Sequence, residues 1–260
     1  MRRSGSRKAD SQNSASSMDL FRSGFSLFFP CIIIVIFFFC PMLLPIFCRK
    51  KSLRNCWASN KSNSKETERI DSLFYSYANQ SSGLIDPEGI EKLCTDMGVD
   101  HTDVRILMLA WKMQAERQGY FTLDEWRRGL KSLRADTVNK LKKMLPELEK
   151  EVKRPSNFVN LYTYAFKYCL TEEKQKSIDI ESICQLLDII LGPYFRGQVD
   201  NFVEYLKIQS DYKVINMDQW LGFYRFCNEI SFPDLENYDP ELAWPLVLDN
   251  FVEWMRSKRL

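Results

Sequence analysis

The hydrophobic positions of this chain recur at intervals of three and four residues over most of its length, a period that predicts α-helices. The clearest case is Val104–Met113, which reads VRILMLAWKM. A second long amphipathic helix is expected before Pro155, on the spacing of Leu141, Leu145, Leu148 and Val152. No stretch alternates strongly enough to require a sheet, so the expected fold class is all-α.

Capping residues mark the helix starts of the second half. Three side chains stand where an N-cap is expected: Ser156 before a helix over 158–170, Asp179 before a helix ending at Gly192, and Asn216 before a helix over 217–230. Asn216 is followed by Gln219, which completes a capping box. Further helices are expected over 198–208 and from near Pro245 to Arg256.

Two loops in the first half have the spacing of EF-hand loops. Each carries a turn glycine, Gly83 or Gly119, followed by a large apolar residue, Ile85 or Phe121. The two apolar positions are 121 − 85 = 36 residues apart. This separation suits a pair of helix–loop–helix units and predicts an EF-hand-like first half.

These loops lack the ligands of calcium sites. An EF-hand loop binds its ion with oxygen ligands at its first, third, fifth and twelfth positions. Those positions hold Ala78, Gln80, Ser82 and Gly89 in the first loop and Gln114, Glu116, Gln118 and Glu125 in the second. Because one carboxylate at the end of the second loop does not balance a divalent cation, no metal is expected.

The N-terminal part divides into three segments. Residues 1–24 are rich in Ser, Arg and Lys and are expected to form a disordered basic tail. Residues 25–48 carry no charge and are long enough to cross a bilayer, so an uncleaved transmembrane segment is the preferred interpretation. The basic cluster at 49–54 would then leave the rest of the chain in the cytosol. Residues 49–66 are expected to be a polar linker.

Two alternatives for residues 25–48 remain open. Pro30, Pro41 and Pro45 weaken a membrane helix, although such helices tolerate proline better than soluble ones. A cleaved signal peptide fits less well because no small-residue cleavage site precedes the basic cluster. A third interpretation is an extension that is never translated. The folded domain is expected over 67–256, with halves at 67–154 and 155–256.

Composition excludes several classes of function. The 260 residues have a formal net charge of +2, which gives no reason to expect nucleic-acid binding. Eight cysteines form no C-x-x-C pair and His101 is the only histidine, so zinc sites and Cys/His catalysis are poorly supported. A transferase that uses Cys94, Cys169, Cys184 or Cys227 is a rival interpretation. His101 lies between Asp100 and Thr102, a helix-start context that predicts a surface position.

The C-terminal segment 231–255 combines an apolar body with uniform negative charge. It contains no Lys or Arg, and its charged residues are Asp234, Glu236, Asp239, Glu241, Asp249 and Glu253. Trp244, Phe251 and Trp254 belong to the apolar part. Such a segment is expected to bury one side and present the other to a basic protein partner. An ordinary solvated acidic helix face is the alternative.

Several short runs carry a resemblance to a known family. They are Ala110-Trp111-Lys112, Asp218-Gln219-Trp220, Asn237-Tyr238-Asp239, Ala243-Trp244-Pro245 and Phe251-Val252-Glu253-Trp254. In these runs the chain resembles the defective-in-cullin-neddylation family, whose domain is called PONY, over about residues 67–256. The resemblance implies an EF-hand-like helical half without metal, packed on a second helical half.

The resemblance also implies a function without covalent catalysis or a cofactor. Proteins of this family are scaffold-type ligase subunits that bind a cullin and the conjugating enzyme of the ubiquitin-like neddylation modifier together, and the modifier itself only indirectly. Cullin neddylation in turn activates cullin-RING ubiquitin ligases. The folded domain would then be cytosolic or nuclear, and anchored to a membrane if residues 25–48 are retained. A membrane-tethered regulatory module of EF-hand type is the alternative.

Two sets of site residues follow from the resemblance. The implied cullin-binding residues are Asp218, Ala243 and Asp249, with Leu242 in place of a more usual glycine. The implied pocket for the acetylated N-terminal Met of the conjugating enzyme consists of Ile90, Cys94, Ile106, Leu109, Ala110, Met113, Gln118, Phe121, Tyr168, Leu186 and Ile189. Acetylation removes the ammonium charge that would be costly to bury in such a pocket.

Overall fold

Ten helices make up most of the part that the computed structural model describes, residues 61–258. They are α1 Lys61–Tyr75, α2 Pro87–Met97, α3 Val104–Met113, α4 Leu123–Leu133, α5 Val138–Val152, α6 Pro155–Tyr168, α7 Ile180–Ile190, α8 Arg196–Ile208, α9 Met217–Glu229 and α10 Leu246–Ser257. The expected helical fold class is confirmed. The basic tail, the apolar segment at 25–48 and most of the expected linker lie outside the described residues. Within residues 61–258, no helix is both long and apolar enough to cross a bilayer.

The first half is built on a backbone pairing between its two loops. The amide of Ile85 donates to the carbonyl of Phe121 at 3.0 Å, and the amide of Phe121 donates back at 2.9 Å. Each residue directly precedes a helix N-cap, Asp86 for α2 and Thr122 for α4. The loop glycines Gly83 and Gly119 have positive φ angles of 68° and 76°. These features confirm the paired helix–loop–helix architecture.

The second half repeats this plan with a short sheet, which the sequence did not predict. Strand β1, Ser177–Asp179, pairs antiparallel with β2, Val214–Asn216, so that Ile178 faces Ile215. These positions are 215 − 178 = 37 residues apart, close to the loop separation of the first half. Asp179 and Asn216 then cap α7 and α9. The expectation of no sheet was wrong because three-residue strands are too short to show alternation.

The second loop of the first half is closed by its own hydrogen bonds, and the first loop ends in a tightly packed glycine. The Glu125 carboxylate accepts from the amides of Glu116 at 2.9 Å and Thr122 at 2.7 Å. Gly89, at the twelfth position of the first loop, leaves no room for a side chain: a Cβ would lie 2.3 Å from the Tyr77 carbonyl oxygen. A calcium-binding Glu therefore does not fit at that position in this backbone.

Aromatic side chains join the elements of the core. In the first half, the Trp126 indole is fully buried and donates to the Ile70 carbonyl at 3.1 Å, which fixes α4 against α1. In the second half, Tyr162 of α6 stacks on Trp220 of α9 with ring centroids 4.2 Å apart. Each of these two side chains also donates to the other's backbone carbonyl, at 2.9 and 3.0 Å. Buried polar groups are thus satisfied while the two helices are locked together.

Most of the expected helix boundaries agree with the structure, with two differences. Helix α6 begins at Pro155 after Arg154 and has no side-chain cap, so Ser156 lies in its first turn and does not cap it. Proline suits the first helical position, where its missing amide hydrogen has no partner to lose. Helix α1 already begins at Lys61, inside the segment expected to be a linker. The capping box of Asn216 and Gln219 is present as expected.

Candidate protein-binding sites

A cavity of about 60 Å³ lies between α2, α3, the second loop, α6 and α7. One water molecule needs roughly 10–15 Å³ by this measure, so the cavity admits a larger group. Eight of the eleven implied pocket residues line it: Ile90, Ile106, Ala110, Gln118, Phe121, Tyr168, Leu186 and Ile189. Most of these side chains are apolar, which suits an uncharged, hydrophobic ligand.

The remaining three implied pocket residues are buried in the core and do not line this cavity. Cys94 is 2% exposed, and Leu109 and Met113 are fully buried. Met113 packs against Gly129 of α4, where an added Cβ would meet its Cγ at 2.4 Å. The set implied by the resemblance therefore includes three core residues that do not face this cavity.

Two tyrosines of α6 hold the second loop at the cavity edge. The Tyr164 hydroxyl donates to the Ala115 carbonyl at 2.9 Å, and the Gly119 amide donates to the Tyr168 hydroxyl at 3.2 Å. The two rings stack with centroids 5.3 Å apart. Burial raises the pKa of both tyrosines well above the ordinary range, so both hydroxyls keep their protons. Tyr168 thus both lines the cavity and supports the loop at its edge.

His101 lies in the cavity wall, whereas the sequence predicted a surface position. Its side chain is 27% exposed, and its Nε2 atom is buried without a hydrogen-bond partner among the described residues. Its neighbour Asp103 caps α3 by accepting from the Arg105 amide at 2.9 Å. The capping context was therefore correct. The sequence could not show that the His101 side chain turns inwards.

The four cysteines within residues 61–258 are all buried thiols. Burial raises the pKa of Cys94 and Cys169 to about 12 and that of Cys184 to about 11, and raises the pKa of Cys227 further. A nucleophilic cysteine needs an accessible thiolate. These environments therefore argue against a Cys-dependent transferase.

A second candidate site lies where α9 meets the start of α10. Gly222 allows this contact, because a Cβ there would lie 2.7 Å from Cγ of Pro245 and 3.5 Å from Cδ1 of Leu248. Asp218 stands one turn before Gly222 in the first turn of α9, and Asp249 is in the first turn of α10. Carboxylates are favoured at helix N-termini by the backbone dipoles. We call this region, Asp218 with residues 239–249, the acidic face.

The acidic face has an exposed apolar strip. Ala243 is exposed, Leu242 is 46% exposed and Leu246 is 66% exposed. Ala243 stands between these two leucines in the chain, on the segment that leads into α10. A partner with basic groups around an apolar centre would complement this arrangement.

Two features of the acidic face were not expected from the sequence. The Tyr238 hydroxyl donates to Oδ1 of Asp249 at 2.5 Å, so this carboxylate is held from within the protein. The Arg225 guanidinium of α9 lies 4.1 Å from the ring centroid of Trp244 and its Nε donates to Glu229 at 2.9 Å. A positive charge therefore borders a segment that itself has no Lys or Arg.

Comparison with known proteins identifies the family. A family model described as cullin binding matches residues 140–254. Human DCN1-like protein 4 is 43% identical over 197 residues, which cover 75% of this chain and 65% of the relative. Mouse DCN1-like protein 5 is 36% identical over 219 residues, which cover 83% of this chain and 88% of the relative. The chain belongs to the DCN1-like protein family.

The match explains the resemblance found in the sequence. A Drosophila melanogaster relative, DCN1-like protein 4, is 38% identical over 173 residues, 66% of this chain and 68% of the relative. The match with the human protein spans just under two thirds of that protein's length. In this DCN1-like chain, the residues matched by the cullin-binding model include α6 to α9 and most of α10, and hence Asp218, Ala243 and Asp249.

Proposed function

We propose that this chain promotes cullin neddylation as a non-catalytic scaffold that binds a cullin and the neddylation conjugating enzyme at two separate sites. The acidic face would receive the cullin, and the cavity would receive the acetylated N-terminal Met of the conjugating enzyme. The modifier would be engaged only through the conjugating enzyme. The thioester would belong to that enzyme and the accepting lysine to the cullin.

The observation that carries this proposal is that the two sites are built from different elements of one helical domain. The cavity uses α2, α3, the second loop, α6 and α7, whereas the acidic face uses α9, the segment before α10 and α10 itself. No element is shared between them, so binding at one site does not use residues of the other. Holding two reactants in a productive geometry accelerates their reaction without any covalent contribution from the scaffold.

The chemistry of each site supports its proposed partner. An acetylated Met is uncharged and apolar, which matches a cavity lined mainly by aliphatic and aromatic side chains. The acidic face lies within the residues matched by the cullin-binding family model. Its exposed carboxylates favour a basic partner surface and would steer its approach.

The proposal is tested by separating the two sites with single substitutions in the full-length chain. Asp249→Arg should abolish binding of the cullin C-terminal region, because the arginine would repel the basic partner surface that the Asp249 carboxylate attracts. The same variant should bind an acetylated peptide from the conjugating enzyme normally. Undiminished cullin binding would overturn the assignment of the acidic face. The rival function, a regulatory module of EF-hand type, is tested by titrating the protein with calcium in a calorimeter. That rival requires a heat of calcium binding.

A further inference from the structure

We infer that Tyr238 is a positioning residue that orients the Asp249 carboxylate for a basic group of the cullin. This inference rests on the proposed function. It concerns a residue outside the implied binding set, one that is only 6% exposed. Tyr238 would therefore act through Asp249 and would not itself contact the partner.

The hydrogen bond between them leaves half of the carboxylate available. The Tyr238 hydroxyl donates to Oδ1 of Asp249 at 2.5 Å. Asp249 is only partly buried, and its Oδ2 makes no hydrogen bond or ion pair with the described residues. An ionised carboxylate accepts several hydrogen bonds, so Oδ2 remains able to accept one from a lysine or arginine.

Tyr238 is itself held firmly by the segment between α9 and α10. Its ring stacks on the Trp244 ring with centroids 5.6 Å apart, and its centroid lies 6.1 Å from that of the Phe226 ring. The neighbouring Asn237 side chain accepts from the Ser231 amide and donates to the Glu229 carbonyl, both at 2.7 Å. The donor is thus fixed before any partner arrives.

The hydroxyl also keeps its proton throughout the physiological range. Burial, followed by the hydrogen bond to Asp249, raises the pKa of Tyr238 far above its ordinary value, although the positive charge of Arg256 acts in the opposite direction. Tyr238 is therefore a permanent donor. It never becomes a second negative charge beside Asp249.

Because Tyr238 holds Oδ1 of Asp249, the Asp249 side chain has less conformational freedom to lose when the cullin binds. Immobilising a side chain at an interface weakens association roughly two- to tenfold when it has not been ordered beforehand. Removing the Tyr238 hydroxyl should cost a comparable factor in cullin affinity. The charge of the acidic face stays the same, so a simple electrostatic account predicts no loss.

The experiment is a double-mutant cycle in the full-length chain, with the dissociation constant for the cullin C-terminal region measured by calorimetry at low salt. Tyr238→Phe should weaken binding roughly two- to tenfold. In an Asp249→Ala background the same substitution should have no further effect, whereas in an Asp218→Ala background it should keep its full effect. Equal losses in both backgrounds would overturn the inference and indicate a general structural role.

Two further variants keep the test decisive. Tyr212→Phe is the matched control, since the Tyr212 hydroxyl accepts from Asn250 at 2.9 Å and does not bond Asp249, and it should leave affinity within about twofold. Asp249→Glu retains the charge but moves the carboxylate away from the Tyr238 hydroxyl, so it should bind more weakly than the unaltered protein. Wild-type affinity for Tyr238→Phe would overturn the inference, whatever the affinity of Asp249→Glu.

Failure of the inference is distinguishable from failure of the proposed function. If Asp249→Arg leaves cullin binding unchanged, the acidic face is not the cullin site. If Asp249→Arg abolishes binding while Tyr238→Phe has no effect, only the positioning role of Tyr238 is wrong.

Discussion

Gly89 lies so close to the backbone of Tyr77 that an added Cβ would come within 2.3 Å of the Tyr77 carbonyl oxygen. This contact packs the start of α2 against the segment between α1 and the first loop. The neighbouring atom is backbone, so it has little freedom to move aside. The close approach therefore explains why the first loop ends in glycine.

Gly89→Ala should lower the free energy of unfolding by about 1–3 kcal/mol, because the extra carbon forces backbone apart in a packed region. Urea unfolding followed by circular dichroism measures the change. Glu88→Ala, at the adjacent exposed position, is the control and should stay within about 0.5 kcal/mol. Equal stability for Gly89→Ala and the unaltered protein would show that the backbone at residue 89 does not lie this close to Tyr77.

Ala110→Arg should block the acetylated N-terminal peptide of the conjugating enzyme while sparing cullin binding. Ala110 is 1% exposed and lines the cavity, so an arginine would fill it and bring in a charge. Fluorescence anisotropy with acetylated and unacetylated peptides measures the effect. If the unaltered protein binds the two peptides equally well, the cavity is not an acetyl-Met site.

The Asp71–Arg127 pair should make stability depend on pH below about 5. The Arg127 guanidinium binds both Asp71 oxygens at 2.7 Å and lowers the pKa of that carboxyl below its ordinary value. A lowered folded-state pKa contributes stability above the unfolded value of about 3.9, and this contribution is lost as pH falls through the folded-state pKa. Asp71→Asn should therefore cost about 1 kcal/mol at pH 7 and progressively less towards pH 2.

Urea unfolding of both proteins at several pH values measures this difference. Asp124→Asn is the matched control, because the Asp124 side chain is 86% exposed and its contact with Arg127 is 3.5 Å long. It should have a smaller effect at pH 7. A stability difference for Asp71→Asn that does not change with pH would show that the charge is not what matters.

The full chain is expected to be integral to a membrane through residues 25–48. Transfer of many Ile, Phe, Leu and Val side chains into lipid should outweigh the penalty of three prolines. Cells expressing the full chain would be fractionated beside a variant without residues 1–54. Extraction by alkaline carbonate would contradict the expectation, whereas a detergent requirement that disappears on deletion would support it. Tethering would raise the effective concentration of cullins at that surface.

Local signals in the sequence predicted much of the fold. The capping box of Asn216 and Gln219 and the loop glycines are short-range features whose geometry follows from adjacent residues. The pairing of Ile178 with Ile215 was missed because it joins distant residues through strands of three residues each. Periodicity also cannot distinguish Met113, which packs against α4, from Ala110, which lines the cavity.

The interactions within the acidic face were beyond sequence reasoning for the same reason. The sequence shows six acidic residues and no basic one over 231–255. It does not show that Arg225, one helix earlier, covers Trp244, or that Tyr238 holds Asp249 across the turn into α10. Both contacts depend on the packing of α9 against the start of α10. That packing is fixed by tertiary structure and has no periodic signature.

If one chain must hold both partners at once, two variants that each lack one site should not complement each other in a mixture. Reconstituted neddylation of a cullin would be timed with the charged conjugating enzyme and the full-length protein, its Asp249→Arg variant, its Ala110→Arg variant, or an equal mixture of the two variants. A scaffold requires both intact sites on the same molecule. We expect stimulation by the unaltered protein and none by either variant or by their mixture. Restored stimulation in the mixture would contradict this expectation.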